Sequence, residues 1–134
     1  MSSQVKLDRL IELAREARER AHAPYSNFKV GAVVECRDGR VFAGCNVENA
    51  SYTLGLCAER VAIFKAVSEG ACDLTRVVVI ADSSLPVSPC GACRQIISEF
   101  LPAEAEVVMM NLHGQVESKS VAELLPAPFN GSFL

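Results

Sequence analysis

The chain has no tryptophan, only two histidines, and few aromatic residues of any kind. It has no apolar run near the roughly 18 residues that cross a bilayer, so a membrane span is not expected. It also lacks a block of lysine and arginine: the net charge is −3 and the isoelectric point about 5.4. Polynucleotide binding calls for a positive surface against the phosphates, so nucleic acid is disfavoured as a partner. The opening residues, Met1 to Asp8, contain no apolar export segment, which points to a cytoplasmic protein. Internal repeats, linkers and low-complexity segments are missing as well. His22 and His113 flank turns without matching partners, and neither is a candidate ligand.

What is present suits one globular domain over residues 1–134, long enough to bury a real core. Half of the residues are hydrophobic, and a mean hydropathy of +0.23 is high for a soluble chain of this size. With no membrane span to absorb it, that excess points to subunit contacts. Six cysteines in a secreted protein would suggest disulfides; without an export signal they suggest a metal site.

Leu7, Leu10, Ile11, Ala14 and Ala17 repeat at helical spacing, predicting an amphipathic helix over about 7–20 that ends before Pro24. Phe28 to Cys36 and Val41 to Cys45 read as strands joined by an Asp38-Gly39 hairpin turn. A helix over about Cys57 to Ser68 is apolar nearly all round, so it must be covered on every side, which suggests a subunit interface. Val77 to Ala81 and Glu106 to Asn111 read as buried strands, and Gly91 to Phe100 as a helix after Pro89. Ser120 to Leu125 reads as a short helix capped by Ser120 and Glu123. This order implies an α/β fold, a mixed sheet with helices on both faces.

The chemistry concentrates in Cys57-Ala58-Glu59-Arg60 and Pro89-Cys90-Gly91-Ala92-Cys93-Arg94-Gln95. Cys57, Cys90 and Cys93 supply three thiolate ligands for zinc, and no fourth Cys or His lies at comparably short spacing. Three protein ligands leave a tetrahedral position open to water, and Glu59 lies close enough to act on that water as a base. Three thiolates and Zn²⁺ leave one net negative charge, which makes the water less acidic unless a cation draws charge from the sulfurs. Arg60, one turn beyond Cys57, is the candidate for that task, with Arg94 as an alternative.

The two motifs together resemble those of the small homotetrameric cytidine deaminases, in the variant whose three zinc ligands are all cysteine. The resemblance runs from the first helix to Phe129. It implies a three-layer α/β/α fold with a mixed five-stranded sheet, the last strand near Gln115 to Ser118. It implies one zinc per subunit and hydrolytic deamination of cytidine and deoxycytidine in pyrimidine salvage, zinc-activated water adding at C4 while Glu59 shuttles protons. It assigns Asn46 and Glu48 to the sugar, a reading their amide and carboxylate also allow at i, i+2 in an extended segment. A carboxylate there repels phosphate, favouring a nucleoside. Phe28 packs on the base by the same resemblance, Tyr52 and Tyr25 line the pocket, and Ala58 and Ser88 offer backbone contacts. Phe129 enters a neighbouring subunit's site.

Blander readings stand beside these. The cysteines suit a structural zinc knot or a redox pair, Glu59 a solvated helix position, and Arg60 a surface ion pair. Asn46 and Glu48 suit a strand-end turn, Phe28 the core, and Phe129 a packed terminal anchor. Cys36, Cys45 and Cys72 read as small hydrophobes or idle thiols. Rival functions are a same-fold deaminase for a modified nucleoside such as blasticidin, a nucleic-acid editor, and an inactive zinc-stabilised interaction module.

Overall fold

The structure, a computed structural model, describes residues 3–71 and 73–134, so Cys72 lies outside the described residues. Five pairs of strand positions, from Gly31 opposite Cys45 to Glu35 opposite Val41, face one another across the Asp38-Gly39 turn, where Gly39 takes φ +95°. They belong to β1 (Val30–Cys36) and β2 (Val41–Cys45), flanked by α1 (Ser3–Arg18) before and α2 (Ala58–Ser68) after. The chain continues through β3 (Leu74–Ala81), α3 (Gly91–Phe100), β4 (Glu106–Asn111), β5 (Val116–Ser120) and α4 (Val121–Leu124). The five strands lie in the order β2-β1-β3-β4-β5. Only β3 and β4 run parallel; the other pairs are antiparallel, so the sheet is mixed as expected.

Alternation along the central strands divides the core into two layers. Val33, Val78, Ile80, Val108 and Met110 face Leu10 and Ala14 of α1. Ala32, Val34, Val77, Val79, Val107 and Met109 face the other way, toward Ala62 and Ile63 of α2 and Ile97 of α3. Helices therefore cover both faces, and the three-layer α/β/α expectation holds. Two glycines let those layers close. A Cβ on Gly31 would lie 2.0 Å from the Ala14 carbonyl oxygen, and one on Gly44 would lie 2.6 Å from the Ala62 amide nitrogen.

Two boundaries differ from expectation. Helix α1 ends at Arg18, well before Pro24, because Arg20 and Ala21 turn back by tight bonds to the Ala17 and Arg18 carbonyls. Strand β1 begins at Val30 because the Phe28 amide bonds the Ser26 hydroxyl and its carbonyl accepts from Asn46. Helix α2 buries Ala58, Ala62, Ile63 and Ala66 but leaves Phe64 39% and Val67 38% exposed. One chain does not cover that helix all round. The Ser120–Glu123 capping box on α4 forms as read from the sequence.

Candidate active site

Cys57 is the N-cap of α2 and Cys90 the N-cap of α3, both extended at φ −72° and −67°. The free amides at a helix start carry partial positive charge, which favours a thiolate there. The Cys93 amide donates to the Cys90 sulfur at 3.4 Å, so one ligand caps the turn that carries the next. The Cys57 and Cys90 Sγ atoms lie 3.9 Å apart, and all three sulfurs lie within 4.8 Å of one another. A tetrahedral zinc with bonds of about 2.3 Å separates its sulfurs by roughly 3.8 Å, so the donor set fits the ion in both kind and spacing.

Three crowded sulfurs cannot all carry charge without a cation between them. The Cys57 thiol is pulled down to about 6, first by its hydrogen bond with Cys93 and further by Cys90 and Arg60, against the opposing effect of burial. Cys93 is pushed up, first by that bond to Cys57 and then by burial.

Glu59 is 5% exposed, not the solvated helix residue of the blander reading. Burial is the first cause that raises its carboxyl to about 7, and the Cys57 charge adds to it. A carboxyl so placed exchanges protons near neutrality. Arg60 is half-buried, and its Nε has no hydrogen-bond partner. Its pKa is raised chiefly by the Cys93 sulfur, with Cys90 and Cys57 contributing. No carboxylate salt bridge to Arg60 occurs among the described residues, which sets aside the surface ion pair.

A cleft of about 430 Å³ runs up to Cys57 and Arg60, with Tyr25, Asn46, Glu48 and Tyr52 among its walls. The Tyr25 and Tyr52 rings meet edge-on at 6.2 Å. The 46–48 segment is pinned on both sides: His22 bridges it in parallel, and Val47 pairs antiparallel with Leu56, the residue before Cys57. The cleft wall and the metal centre thus share one stretch of backbone.

Asn46 and Glu48 both hold the loop that faces them. Asn46 accepts from the Val30 amide and donates to the Phe28 carbonyl, each at 2.8 Å. Glu48 accepts from the Tyr25 amide at 3.0 Å, from the Ser26 amide at 3.2 Å and from the Ser26 hydroxyl. The Ser26 hydroxyl is the first cause that lowers the Glu48 pKa. Phe28, Ala58 and Phe129 do not line this cleft. Phe28 is 41% exposed beside it, not in the core, and Ala58 is fully buried at the start of α2. Phe129 is 58% exposed, stacked on Phe133 at 5.5 Å, with its carbonyl held by Gln95.

One residue that shapes the site was not read as doing so. Asn111 is completely buried at the end of β4; its amide donates to the Ser84 carbonyl and to Gln115, and its oxygen accepts from the His113 and Gln115 amides. It ties the strand end to the loop leading to Cys90. An asparagine ending an apolar strand was the available signal. Arg94, the alternative to Arg60 at the sulfurs, instead directs its guanidinium to Pro89, Ser88 and Leu124.

A sulfur-held zinc with an unligated, buried acid alongside is the apparatus of a hydrolytic metalloenzyme. Residues 4–110 match the family model described as the cytidine and deoxycytidylate deaminase zinc-binding region, and the chain belongs to that family of zinc enzymes. It is 52% identical to a cytidine deaminase of Halalkalibacterium halodurans over 90% of this chain and 91% of that one. A crystal structure of a cytidine deaminase from Burkholderia pseudomallei superposes with a TM-score of 0.89 at 47% identity, covering 96% of this chain and all of that one. A blasticidin-S deaminase of Bacillus cereus is 31% identical over 89% of this chain and 91% of its own. Among the described residues no helix is long and apolar enough to cross a membrane.

Proposed function

We propose that the chain hydrolyses cytidine and deoxycytidine to uridine and deoxyuridine plus ammonia, as a cytoplasmic enzyme of pyrimidine salvage. The observation that carries this is the buried Glu59 carboxyl beside three sulfurs spaced for zinc, on a chain of the deaminase family. Cys57, Cys90 and Cys93 would hold zinc, which when bound would supply the Lewis acid that makes water nucleophilic at neutral pH. Arg60 would draw charge from the sulfurs and so keep a metal held there electrophilic. Glu59 takes the water proton and delivers it to N3 of the pyrimidine, since the ring resists addition at C4 until N3 is protonated. It then carries a further proton to the amino group, which departs as ammonia.

Asn46 and Glu48 bind the sugar hydroxyls with the hydrogen-bonding capacity left beyond the loop, and the Glu48 charge discriminates against phosphate. Phe28 packs on the base, Tyr25 and Tyr52 close the pocket wall, and the Ala58 backbone contacts the base. Phe129 completes the site of a neighbouring copy in a homotetramer. Exposed Phe64, Val67, Phe129 and Phe133 supply apolar surface for such contacts.

Metal content and cytidine turnover on one preparation test this reading. About one zinc per chain with turnover, lost in Glu59→Ala, supports it; protein without zinc refutes it. The Bacillus cereus relative favours one alternative, a modified nucleoside as substrate, and zinc-loaded protein inert toward cytidine and deoxycytidine but active on blasticidin S selects it. Light scattering tests the assembly, and an active monomer refutes it.

A further inference from the structure

Cys90 differs from the other two ligands in how it is held. Cys93 is buried within α3 and Cys57 follows the Val47–Leu56 bridge, whereas Cys90 is exposed at the end of the long loop from Asp82. Val87 is anchored to β4 through the Met110 carbonyl at 3.2 Å. The two residues between Val87 and Cys90 are held by Arg94. Its Nε donates to the Pro89 carbonyl at 3.0 Å and its Nη2 to the Ser88 hydroxyl at 2.6 Å. Its Nη1 donates to the Leu124 carbonyl at 3.0 Å, at the last residue of α4. The Arg94 amide in turn donates to the Cys90 carbonyl at 2.9 Å.

We infer that Arg94 is a positioning residue for the metal centre: its guanidinium locks the Ser88-Pro89 approach against α4 and thereby fixes the Cys90 sulfur for zinc. A planar fork with rigidly spaced donors reaches three acceptors on two segments at once, which a single ammonium does not. The Pro89 peptide adjoins the Cys90 backbone directly, so freedom there is transmitted to the sulfur over one residue. Arg60 and Arg94 thus divide two tasks, the first tuning sulfur charge and the second sulfur position. Residues one step behind a metal ligand commonly contribute about 10- to 100-fold to affinity.

The inference rests on Cys90 being a zinc ligand. The test therefore begins with zinc stoichiometry of the unaltered protein; no zinc there refutes that assignment and the inference with it. With zinc present, Arg94→Met and Arg94→Lys are compared with Arg15→Met, an exposed arginine on the outer face of α1. The readouts are zinc affinity by chelator competition and the sulfur-to-metal absorption bands of cobalt-substituted protein. Expected is an affinity loss of about 10- to 100-fold and altered cobalt bands in both Arg94 variants, with Arg15→Met unchanged. A lysine that restores affinity, or a folded Arg94→Met with unchanged affinity and bands, overturns the inference. If Arg94→Met does not fold, Ser88→Ala removes a single clamp bond and is expected to give a smaller loss of affinity in the same direction; unchanged affinity there overturns it equally.

Discussion

Cys57 and Cys90 are separated by 33 residues, yet each is the N-cap of a helix and their sulfurs lie 3.9 Å apart. The starts of α2 and α3 converge from one face of the sheet, and Cys93 completes the triangle from within α3. Removing any vertex leaves two thiolates, too few for a stable tetrahedral site.

Cys90→Ala is therefore expected to lower bound zinc from about one per chain to near zero and to abolish turnover. Inductively coupled plasma spectrometry on freshly prepared protein checks the metal. Retention of stoichiometric zinc would show that Cys90 is not a ligand.

Glu59→Gln preserves size and hydrogen-bonding shape but cannot carry a proton. It is expected to keep the zinc while turnover falls by about 10²- to 10⁴-fold, the usual range for a lost general acid–base group. Metal analysis beside steady-state kinetics distinguishes this from loss of the site; a variant with near-normal kcat would end the mechanism.

Glu48 makes a pH prediction. The Ser26 hydroxyl, followed by the Ser26 and Tyr25 amides, lowers its pKa below the ordinary value of 4.5. A depressed folded-state value means its hold on the 25–26 turn is present above pH 4.5 and is lost as pH falls through the lower value. NMR titration of the Glu48 carboxyl is expected to give a midpoint under 4.5 that rises in Ser26→Ala. A midpoint at 4.5 or higher in the unaltered protein contradicts it.

Gly44 and Gly91 make a contrasting pair. A Cβ on Gly44 would lie 2.6 Å from the Ala62 nitrogen and 2.9 Å from the Ala58 oxygen, backbone atoms that cannot yield. Gly44→Ala is expected to cost about 1–3 kcal/mol and, because Cys57 and Glu59 ride on that helix, to weaken zinc binding. Gly91 lies between two cysteines of the site, yet its Cβ would meet open space, and Gly91→Ala is expected to be neutral or stabilising by up to about 1 kcal/mol. Denaturant melts with chelator competition measure both; equal behaviour of the two variants contradicts the argument.

Local chemistry was written plainly in the chain. Helical spacing gave α1, Pro89 marked the start of α3, apolar runs gave β3 and β4, and the Ser120–Glu123 cap fixed the start of α4, because each depends on neighbours within a few residues. The metal ligands and Glu59 were legible for the same reason: their chemistry sits in two short motifs. Their meeting across 33 residues was not a local matter: the sequence offered the three cysteines as one ligand set, and the fold brought their sulfurs together. Tertiary structure decided how particular side chains are used. Asn46 and Glu48 read equally as sugar ligands or turn formers, and only the fold brought the 25–30 segment against them, where both hold its backbone. Arg94 was readable as a partner for the sulfurs; the packing of α4 beside α3 gave its guanidinium the Leu124 carbonyl instead. Asn111 became a loop anchor once the end of β4 was sealed beneath the 82–90 loop. Residue type and near spacing were enough to say which groups carry the chemistry. Which polar groups are left to meet a ligand depends on partners distant in the chain, and there the tertiary structure had the decision.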